Sequence, residues 1–403
     1  MTAMKGRIEA LAGDYLDDTI RVRRDLHRHP ELAYEEIRTG RVVTELLSEW
    51  GIPFKTGLAR TGIVAFIDGG QPGPSRMLRA DMDALPILEE NTFEFRSTVD
   101  GKMHACGHDA HTSTLLTTGR ILNEIKSELK GNVRLVFQPS EEVVPGGAKP
   151  MIEDGALGAL EGRAAIEAAY GQHVRPDLPC GVIGVRGGEF MAATDEVQIR
   201  IHGQGGHAAE PHLLSADPVL VAAHVITALQ SVISRNCKPD SPSVLSICQV
   251  AAGNANNVVP DTVTLGGTFR SMDEAWRSRA YGLIARVAEN TAAAFGARAE
   301  VDIRRGYPAL VNDVAAAVRV RKAAVEYVGE ENVLDLDRWY VAEDFAYYLK
   351  EVPGCFYTLG VGNVAEGITH GLHTPRMTVD ERALQTGPGF MAYLAWHHGA
   401  FQD

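Results

Sequence analysis

The sequence has little that would suggest secretion, a membrane span or a nucleic-acid partner. Its five cysteines in 403 residues are an odd, scattered set, so no disulfide framework is indicated and a reducing cytosol is expected. Acidic residues outnumber basic ones by 52 to 39, and the net charge of −13 argues against a nucleic-acid surface. There is no uninterrupted run of about 18 apolar residues, and the N-terminus contains acids that a signal peptide lacks. We therefore expect a cytoplasmic protein that does not span a membrane and that takes small substrates or protein partners.

The length and the order of the predicted elements indicate two domains. A chain of 403 residues exceeds what one ordinary hydrophobic core supports. Predicted strands alternate with helices at 61–68, 76–86, 132–137 and 163–174. This alternation is typical of an α/β domain with a mostly parallel sheet. From 187 to 305 the order becomes β-α-β-β-α-β, which is ferredoxin-like. We predict a discontinuous α/β domain, residues 1–186 and 306–403, interrupted by an inserted α+β domain at 187–305.

The densest group of potential metal ligands is MHACGHDAHT, residues 103–112. Cys106, Asp109 and three histidines lie in this stretch, and their side chains are of the types that bind first-row metals. Unpaired burial of such groups would be costly, so the stretch is not a simple packing segment. Taken alone, it is equally compatible with a polar helix start whose histidines are solvated.

Polar side chains also follow three of the predicted strands. Asp81 and Asp83 follow one strand, Glu141 and Glu142 follow the next, and His173 ends the third. In open α/β sheets, sites form beyond the carboxyl ends of the strands. We therefore expect these side chains to converge on one site.

The candidate ligands are more numerous than a single catalytic metal requires. They are Cys106, His108, Glu141 or Glu142, His173, and His370 or His373. Two metals about 3.5–4 Å apart, bridged by a water and one protein group, would use all of them. In the Glu141–Glu142 pair, one carboxylate can bind a metal while its neighbour acts as general base. The alternative for such a pair is a solvated helix start.

Ten sequence blocks, in order along nearly the whole chain, resemble one known family. The blocks are RRDLHRHPELAYEE, RADMDALPILEE, MHACGHDAHT, FQPSEEVVPGGAKPMIEDG, GQHV, GQGGHAAEPH, NVVPDTV, GGTFRSMD, AEDFAYYL and GLHTPRMTVDE. They resemble the amidohydrolase branch of the co-catalytic metallopeptidases (peptidase family M20 type), with aminoacylases, hippurate hydrolase and plant auxin–amino acid conjugate hydrolases. The resemblance implies a metal-dependent amidohydrolase that cleaves N-acyl amino acids to a carboxylic acid and a free amino acid.

The resemblance further implies roles for individual residues of the metal site. Two divalent cations, zinc or manganese with nickel or cobalt as alternatives, would be held by Cys106, His108, Glu142, His173 and His373. Cys106 would stand at the bridging position. Glu141 would be the general base. Asp83 would orient a ligand, with help from Asp81.

The resemblance also assigns a function to the inserted domain, as a lid and a dimerisation domain of a homodimer or homotetramer. His207 would donate to the developing oxyanion, in its own or the partner subunit's site. Asn257 and Arg270 would hold the substrate carboxylate. The alternatives are a histidine in a glycine-rich turn and a surface charge at a strand end.

Two other functions remain open at this point. The first is a metallo-dipeptidase or aminopeptidase on the same scaffold. The second is a non-catalytic, metal-dependent binding protein, against which the Glu141–Glu142 pair argues because a binding module needs no spare base. The sequence leaves the acyl group, the amino-acid half and the native metal undetermined.

Overall fold

The computed structural model describes residues 2–400, with side chains up to residue 398. Its α-helices are α1 (Thr2–Asp14), α2 (Leu16–Arg28), α3 (Ile37–Glu49), α4 (His108–Glu124), α5 (Ala148–Glu153), α6 (Pro218–Asn236), α7 (Glu274–Ala294), α8 (Val314–Val328), α9 (Ala346–Glu351) and α10 (Ala383–Ala400). Its strands are β1 (Phe54–Leu58), β2 (Gly62–Asp68), β3 (Arg76–Asp81), β4 (Asn132–Gln138), β5 (Ala168–Pro179), β6 (Ile183–Val185), β7 (Gly188–Met191), β8 (Ala193–His202), β9 (Gly206–His207), β10 (Ser243–Ala252), β11 (Val258–Val259), β12 (Thr262–Ser271), β13 (Arg298–Arg305), β14 (Leu310–Asn312), β15 (Val333–Asp335) and β16 (Gly354–Gly362).

The chain forms two compact units. Unit 2 consists of Glu189–Leu310 and Arg338–Glu343, and unit 1 is the rest of the described chain. The second segment of unit 2 is far from the predicted insertion in sequence. It joins unit 2 because the backbone N–H of Trp339 donates to the Phe190 carbonyl, at 2.8 Å. The use of the two units as a catalytic domain and a lid stays a prediction.

Unit 1 is built around a mixed sheet of eight strands. Their order is β1-β2-β4-β3-β5-β16-β6-β15. The central strands β4, β3, β5 and β16 run parallel, whereas the β1–β2, β2–β4 and β16–β6 pairs are antiparallel. The predicted parallel sheet is therefore found at the centre, and antiparallel strands extend it on both sides. Strands β3 and β16 are buried along their whole length, as expected for strands covered on both faces.

The carboxyl ends of the central strands bring polar residues to one edge of this sheet. Asp81, the last residue of β3, lies opposite Gln138, the last residue of β4. Strand β5 continues to Pro179, so His173 lies within it and not at its end as predicted. The histidine is nevertheless beyond Gly171, the last β5 residue that pairs with β3. The predicted convergence of strand-end side chains is therefore possible at this edge.

Gly107 directs the metal-ligand stretch into helix α4. Its φ of +90° lies in the left-handed region, which glycine adopts without steric cost. A Cβ at this position would also collide with the Val174 side chain of β5. The glycine therefore lets the chain pass close to β5 between Cys106 and His108, the first residue of α4.

Unit 2 contains a four-stranded antiparallel sheet with two long helices. The strand order is β10-β12-β8-β13, and the chain order is β8-α6-β10-β12-α7-β13. Alternate residues of β8 are buried, which is the period of a strand with one covered face. Asp217 and Asp273 cap helices α6 and α7 by accepting hydrogen bonds from backbone N–H groups of the first turn.

Helix α6 is long and apolar enough, by length and composition, to cross a membrane. The sequence predicts a helix at 216–235, but polar residues interrupt it, so it did not count as an uninterrupted run of about 18 apolar residues. Val221, Val225, Leu229 and Val232 of this helix are buried in the hydrophobic core of unit 2. A single helix of this kind is weak evidence for a membrane, since the core helix of a soluble protein meets the same criterion.

Candidate metal centre

Five of the predicted site residues of unit 1 converge through their side-chain donor atoms. Cys106 Sγ lies 3.4 Å from His173 Nε2 and 3.3 Å from His373 Nε2. Glu142 Oε1 lies 3.3 Å from His373 Nε2 and 3.8 Å from His108 Nε2. Thiol, imidazole and carboxylate donors from four separate parts of the chain therefore surround one small volume.

Two three-residue groups within this cluster have ligand atoms close enough to hold one metal ion each. One group is Cys106, His108 and His173, and the other is Cys106, Glu142 and His373. Within each group the ligand atoms lie within 4.8 Å of one another. Cys106 belongs to both groups, which is the placement required of a bridging ligand. His370 is exposed and belongs to no such group among residues 2–398, so the geometry favours His373 of the two candidates.

Asp83 fixes the relative position of the two glutamates and of one histidine. Its Oδ1 accepts a hydrogen bond from the Glu141 backbone N–H at 3.0 Å, and its Oδ2 accepts one from Glu142 N–H at 2.9 Å. His108 Nδ1 lies 2.9 Å from the Asp83 carbonyl oxygen, to which it donates. This bond turns His108 Nε2 towards the cluster, as outer hydrogen bonds commonly do for metal-binding histidines.

Asp81 and His111 form a second supporting interaction. Asp81 Oδ1 lies 2.6 Å from His111 Nδ1, while His111 Nε2 accepts the Val174 N–H at 2.9 Å. An Nε2 that accepts this bond assigns the proton of His111 to Nδ1. His111 therefore links α4 to β5, and both of its nitrogen atoms are used in doing so.

The charges of the cluster fit a bound cation. Burial raises the pKa of Cys106 well above its ordinary value, and the carboxylates of Glu142 and Glu141 raise it further, so a thiolate needs positive charge nearby. Burial would lower the pKa of His108, but Asp81 and Asp83 outweigh it and raise that pKa to about 10. The surrounding carboxylates therefore favour positive charge at this point.

A buried imidazole nitrogen without a hydrogen bond supports the same conclusion. His108 Nε2 is buried and makes no hydrogen bond within the described part of the chain. His173 donates from Nδ1 to the Val174 carbonyl at 2.7 Å, which leaves its Nε2 to face Cys106. Imidazole nitrogen, thiolate sulfur and carboxylate oxygen are the donor set of zinc and related divalent ions. The residues present therefore fit divalent metal ions.

Unit 2 contains the three other predicted site residues. His207 is exposed on β9, and its Nδ1 accepts the Ala209 N–H at 3.1 Å, so Nε2 carries the proton and can donate it. The Asn257 carbonyl accepts the Ala208 N–H at 3.0 Å, which places Asn257 beside the His207 segment. Arg270 is half-buried on β12, and burial lowers its pKa.

Comparison with known proteins decides the family. Residues 77–397 match the profile described as "Peptidase family M20/M25/M40". The chain belongs to this family. The resemblance identified from the ten sequence blocks is thereby confirmed, as is a mixed α/β fold with a large sheet that contains parallel strands.

Relatives of this M20 chain include enzymes that act on amides. It is 40% identical to the N-acetylcysteine deacetylase of Bacillus subtilis over 377 residues. This alignment covers 93% of this chain and 95% of that protein. It is 37% identical to the IAA-amino acid hydrolase ILR1-like 4 of Arabidopsis thaliana, over 96% of this chain and 87% of that protein.

A crystal structure of a Bacillus subtilis protein, described as a dinuclear metal binding peptidase from the M20 family, is similar in fold. It matches with a TM-score of 0.81 and 36% identity, over 95% of this chain and 98% of that one. The similarity therefore extends over both units of this M20 chain.

The structure of this M20 chain shows a buried ion-pair network that the sequence did not reveal. Asp109 lies 2.7 Å from Arg23 Nε and 2.8 Å from His27 Nδ1, and His27 Nε2 lies 3.0 Å from Glu89. All four side chains are almost completely buried. The only local signal was the spacing of Arg23 and His27, four residues apart on one face of a helix. The network anchors the first turn of α4, next to His108, to helix α2.

Proposed function

We propose that this protein is a dinuclear metal-dependent amidohydrolase that cleaves N-acyl amino acids to a carboxylic acid and a free amino acid. The observation that carries the proposal is that Cys106 is shared by two ligand groups, with the buried Glu141 beside them. Relatives described as an N-acetylcysteine deacetylase and an IAA-amino acid hydrolase, both over more than nine-tenths of this chain, support this substrate class.

The two ligand groups define which residues would hold the metals. Cys106, His108 and His173 would hold one ion, and Cys106, Glu142 and His373 the other. Bound there, divalent cations such as zinc or manganese would polarise the amide carbonyl and make a water molecule more acidic. The dinuclear description of the Bacillus subtilis structure supports two ions per chain.

The protein side chains would move the protons and hold the substrate. Glu141 would take a proton from the attacking water and give it to the leaving amine. Asp83 accepts a hydrogen bond from the backbone N–H of Glu141, and this bond restricts where the Glu141 carboxylate can lie. His207, whose Nε2 carries the proton, would donate it in a hydrogen bond to the developing oxyanion. Asn257 and Arg270 would hold the substrate carboxylate.

We further infer that unit 2 is a ferredoxin-like lid and dimerisation domain of a cytoplasmic homodimer or homotetramer. Its β8-α6-β10-β12-α7-β13 chain order and its β10-β12-β8-β13 sheet order support the ferredoxin-like description. The lid function would bring His207, Asn257 and Arg270 to a substrate.

Replacing Glu141 by glutamine tests the proposal. Because Gln cannot accept the proton of the water, turnover of N-acyl amino acids should fall by about 10²–10⁴-fold. The metal content, measured by elemental analysis, should stay at the wild-type value, because Glu141 is the proposed base and is not one of the proposed ligands. Glu153→Gln, an exposed position on α5, is the matched control and should keep full activity.

The substrate panel distinguishes the proposed function from its alternatives. It should contain N-acetyl, N-benzoyl and N-indole-acetyl amino acids and free dipeptides, each assayed with several divalent metals. The description of the similar Bacillus subtilis structure as a peptidase favours a metallo-dipeptidase as second candidate. Faster hydrolysis of free dipeptides than of acylated amino acids would favour that candidate. Binding without turnover in any metal form would instead support a non-catalytic protein.

A further inference from the structure

A fully buried arginine near the carboxyl end of β3 lies between two carboxylates. Arg79 Nη1 is 2.5 Å from Asp81 Oδ2, and Arg79 Nη2 is 2.7 Å from Asp344 Oδ1. Arg79 Nε donates to the Gln138 side-chain oxygen at 3.0 Å. All three charged side chains are 0% exposed. The Arg79 guanidinium therefore uses all three of its nitrogen atoms to join β3, the end of β4 and Asp344.

Asp344 in turn holds both ends of the segment that carries the two glutamates, residues 138–148, here named the glutamate loop. Gln138 Nε2 donates to both Asp344 oxygen atoms at 2.9 Å, and the Ala148 backbone N–H donates to Oδ2, also at 2.9 Å. Gly146 approaches so closely that a Cβ there would collide with the Asp344 carboxylate. The loop therefore closes around one buried carboxylate.

The other carboxylate bound by Arg79 leads to helix α4. Asp81 Oδ1 bonds His111, and the Asp81 carbonyl oxygen accepts the Thr112 hydroxyl at 2.7 Å. Both residues lie in the first two turns of α4, which begins at His108. One arginine thus connects the glutamate loop to the helix that supplies a candidate metal ligand.

Stability alone does not explain why these charged side chains are buried. Burying a carboxylate and a guanidinium removes both from water, and well-packed apolar side chains often stabilise a core as well or better. What the charged groups add is directional hydrogen bonding at fixed positions. Here the hydrogen bonds of Asp344 end at Gln138 and Ala148, the two ends of the loop that carries Glu141 and Glu142.

We propose that Arg79 and Asp344 are positioning residues that hold the glutamate loop in register with the start of α4. The proposal rests on the proposed function, in which Glu141 is the base and Glu142 a metal ligand. Both residues would act through the loop that carries the two glutamates. Loss of either side chain should loosen the loop and misplace both glutamates relative to His108.

The first experiment uses the metal-free full-length protein, and its readout does not depend on activity. Asp344→Asn keeps the shape of the side chain but removes its charge and one of its acceptors. Hydrogen–deuterium exchange of peptides within the glutamate loop should become at least about tenfold faster in this variant, because local opening is set by local contacts. Arg79→Met should have a similar effect.

The control is Arg76→Met on the same strand. Arg76 is as buried as Arg79, but it lies at the other end of β3, where its Nη1 bonds the Pro74 and Lys130 carbonyls. This variant should lower the melting temperature and leave exchange of the glutamate loop at the wild-type rate. It separates a general loss of stability from a local loss of position.

The second experiment measures metal affinity by titrating the metal-free protein, and then kcat and KM at saturating metal. Asp344→Asn and Arg79→Met should weaken metal affinity by about 10–100-fold and lower kcat by a similar factor, with a smaller change in KM. The Arg79→Met/Asp344→Asn double variant should lose no more kcat and metal affinity than the more damaging single variant, because the two residues act as one unit. Arg79→Lys, which keeps the charge but not the three-way geometry, should restore part of kcat.

The outcomes separate this proposal from the proposed function. Unchanged loop exchange in both variants, or losses of kcat and metal affinity no larger than those of Arg76→Met, would overturn the positioning role. If the wild-type protein hydrolyses no acylated amino acid, the proposed function fails. Loop exchange and metal affinity still decide the positioning role in that case.

Discussion

Cys106 is the residue on which the proposed two-metal arrangement depends. Its sulfur lies within 3.4 Å of imidazole nitrogen atoms from His173 and His373, and it belongs to both three-residue ligand groups. A buried thiol with a raised pKa and two acidic neighbours is a poor nucleophile, but it becomes a thiolate when cations compensate its charge. The environment therefore suits a bridging ligand better than a covalent catalyst.

The bridging role of Cys106 predicts the metal content of a variant. Cys106→Ala removes a ligand from both groups, so the bound metal should fall well below two equivalents per chain, as measured by elemental analysis after dialysis. Cys355→Ala is the control, because Cys355 is also a buried free thiol but belongs to no ligand group of residues 2–398. Two equivalents retained in Cys106→Ala would show that the sulfur is not a ligand.

At the scale of the element, the side chain of Glu274 connects the start of helix α7 to other parts of unit 2. Asp273 caps the helix, and Glu274 Oε1 accepts hydrogen bonds from Ala309 N–H and Arg277, both at 2.9 Å. Glu274 Oε2 lies 2.6 Å from Arg305. Although burial raises the pKa of Glu274, these donors outweigh it and lower the pKa below its ordinary value.

The lowered pKa of Glu274 makes a pH-dependent prediction. A carboxyl group whose pKa is lower in the folded state stabilises the fold above its ordinary pKa of 4.5 and loses that effect as the pH falls through the folded-state value. Glu274→Gln should therefore lower the melting temperature at pH 7, and the difference from wild type should shrink below pH 4.5. Glu289→Gln, at an exposed position of α7, is the control and should leave the melting temperature at pH 7 close to the wild-type value. A difference for Glu274→Gln that stays constant down to pH 3 would contradict the prediction.

At the scale of the whole molecule, the proposed catalytic residues are divided between the two units. Glu141 belongs to unit 1, and His207 belongs to unit 2. In the proposed homodimer, His207 would complete either the site of its own chain or that of its partner. The two arrangements give different results when inactive variants are mixed.

Mixing His207→Ala with Glu141→Ala after subunit exchange decides between them. If His207 acts across subunits, each mixed dimer has one intact site, and an equimolar mixture should recover about a quarter of wild-type activity for a symmetric dimer. Action within one chain predicts no recovery, because each chain then lacks one essential group. Subunit exchange should be verified with differently tagged chains.

How much could be predicted from the sequence depended on how local each feature is. The strands before Asp81 and Glu141 were predicted from the segments RMLRAD and NVRLVF, and the ligand residues were conspicuous because imidazole, thiolate and carboxylate groups are costly to bury without a partner. The bonds between Arg79 and Asp344, and between His27 and Asp109, were not visible. Their partners are 265 and 82 residues apart, and no local pattern relates them.

The sequence by itself determined the family, the alternation of strands and helices in unit 1, the strand and helix order of unit 2, and the identity of the candidate ligands. Only the tertiary structure decided that β2 and β6 run antiparallel to the central strands of the sheet and that 338–343 joins unit 2. The physical reason is that side-chain type and period are local properties. Partners that are distant in sequence meet only where the packing of strands and helices brings them together.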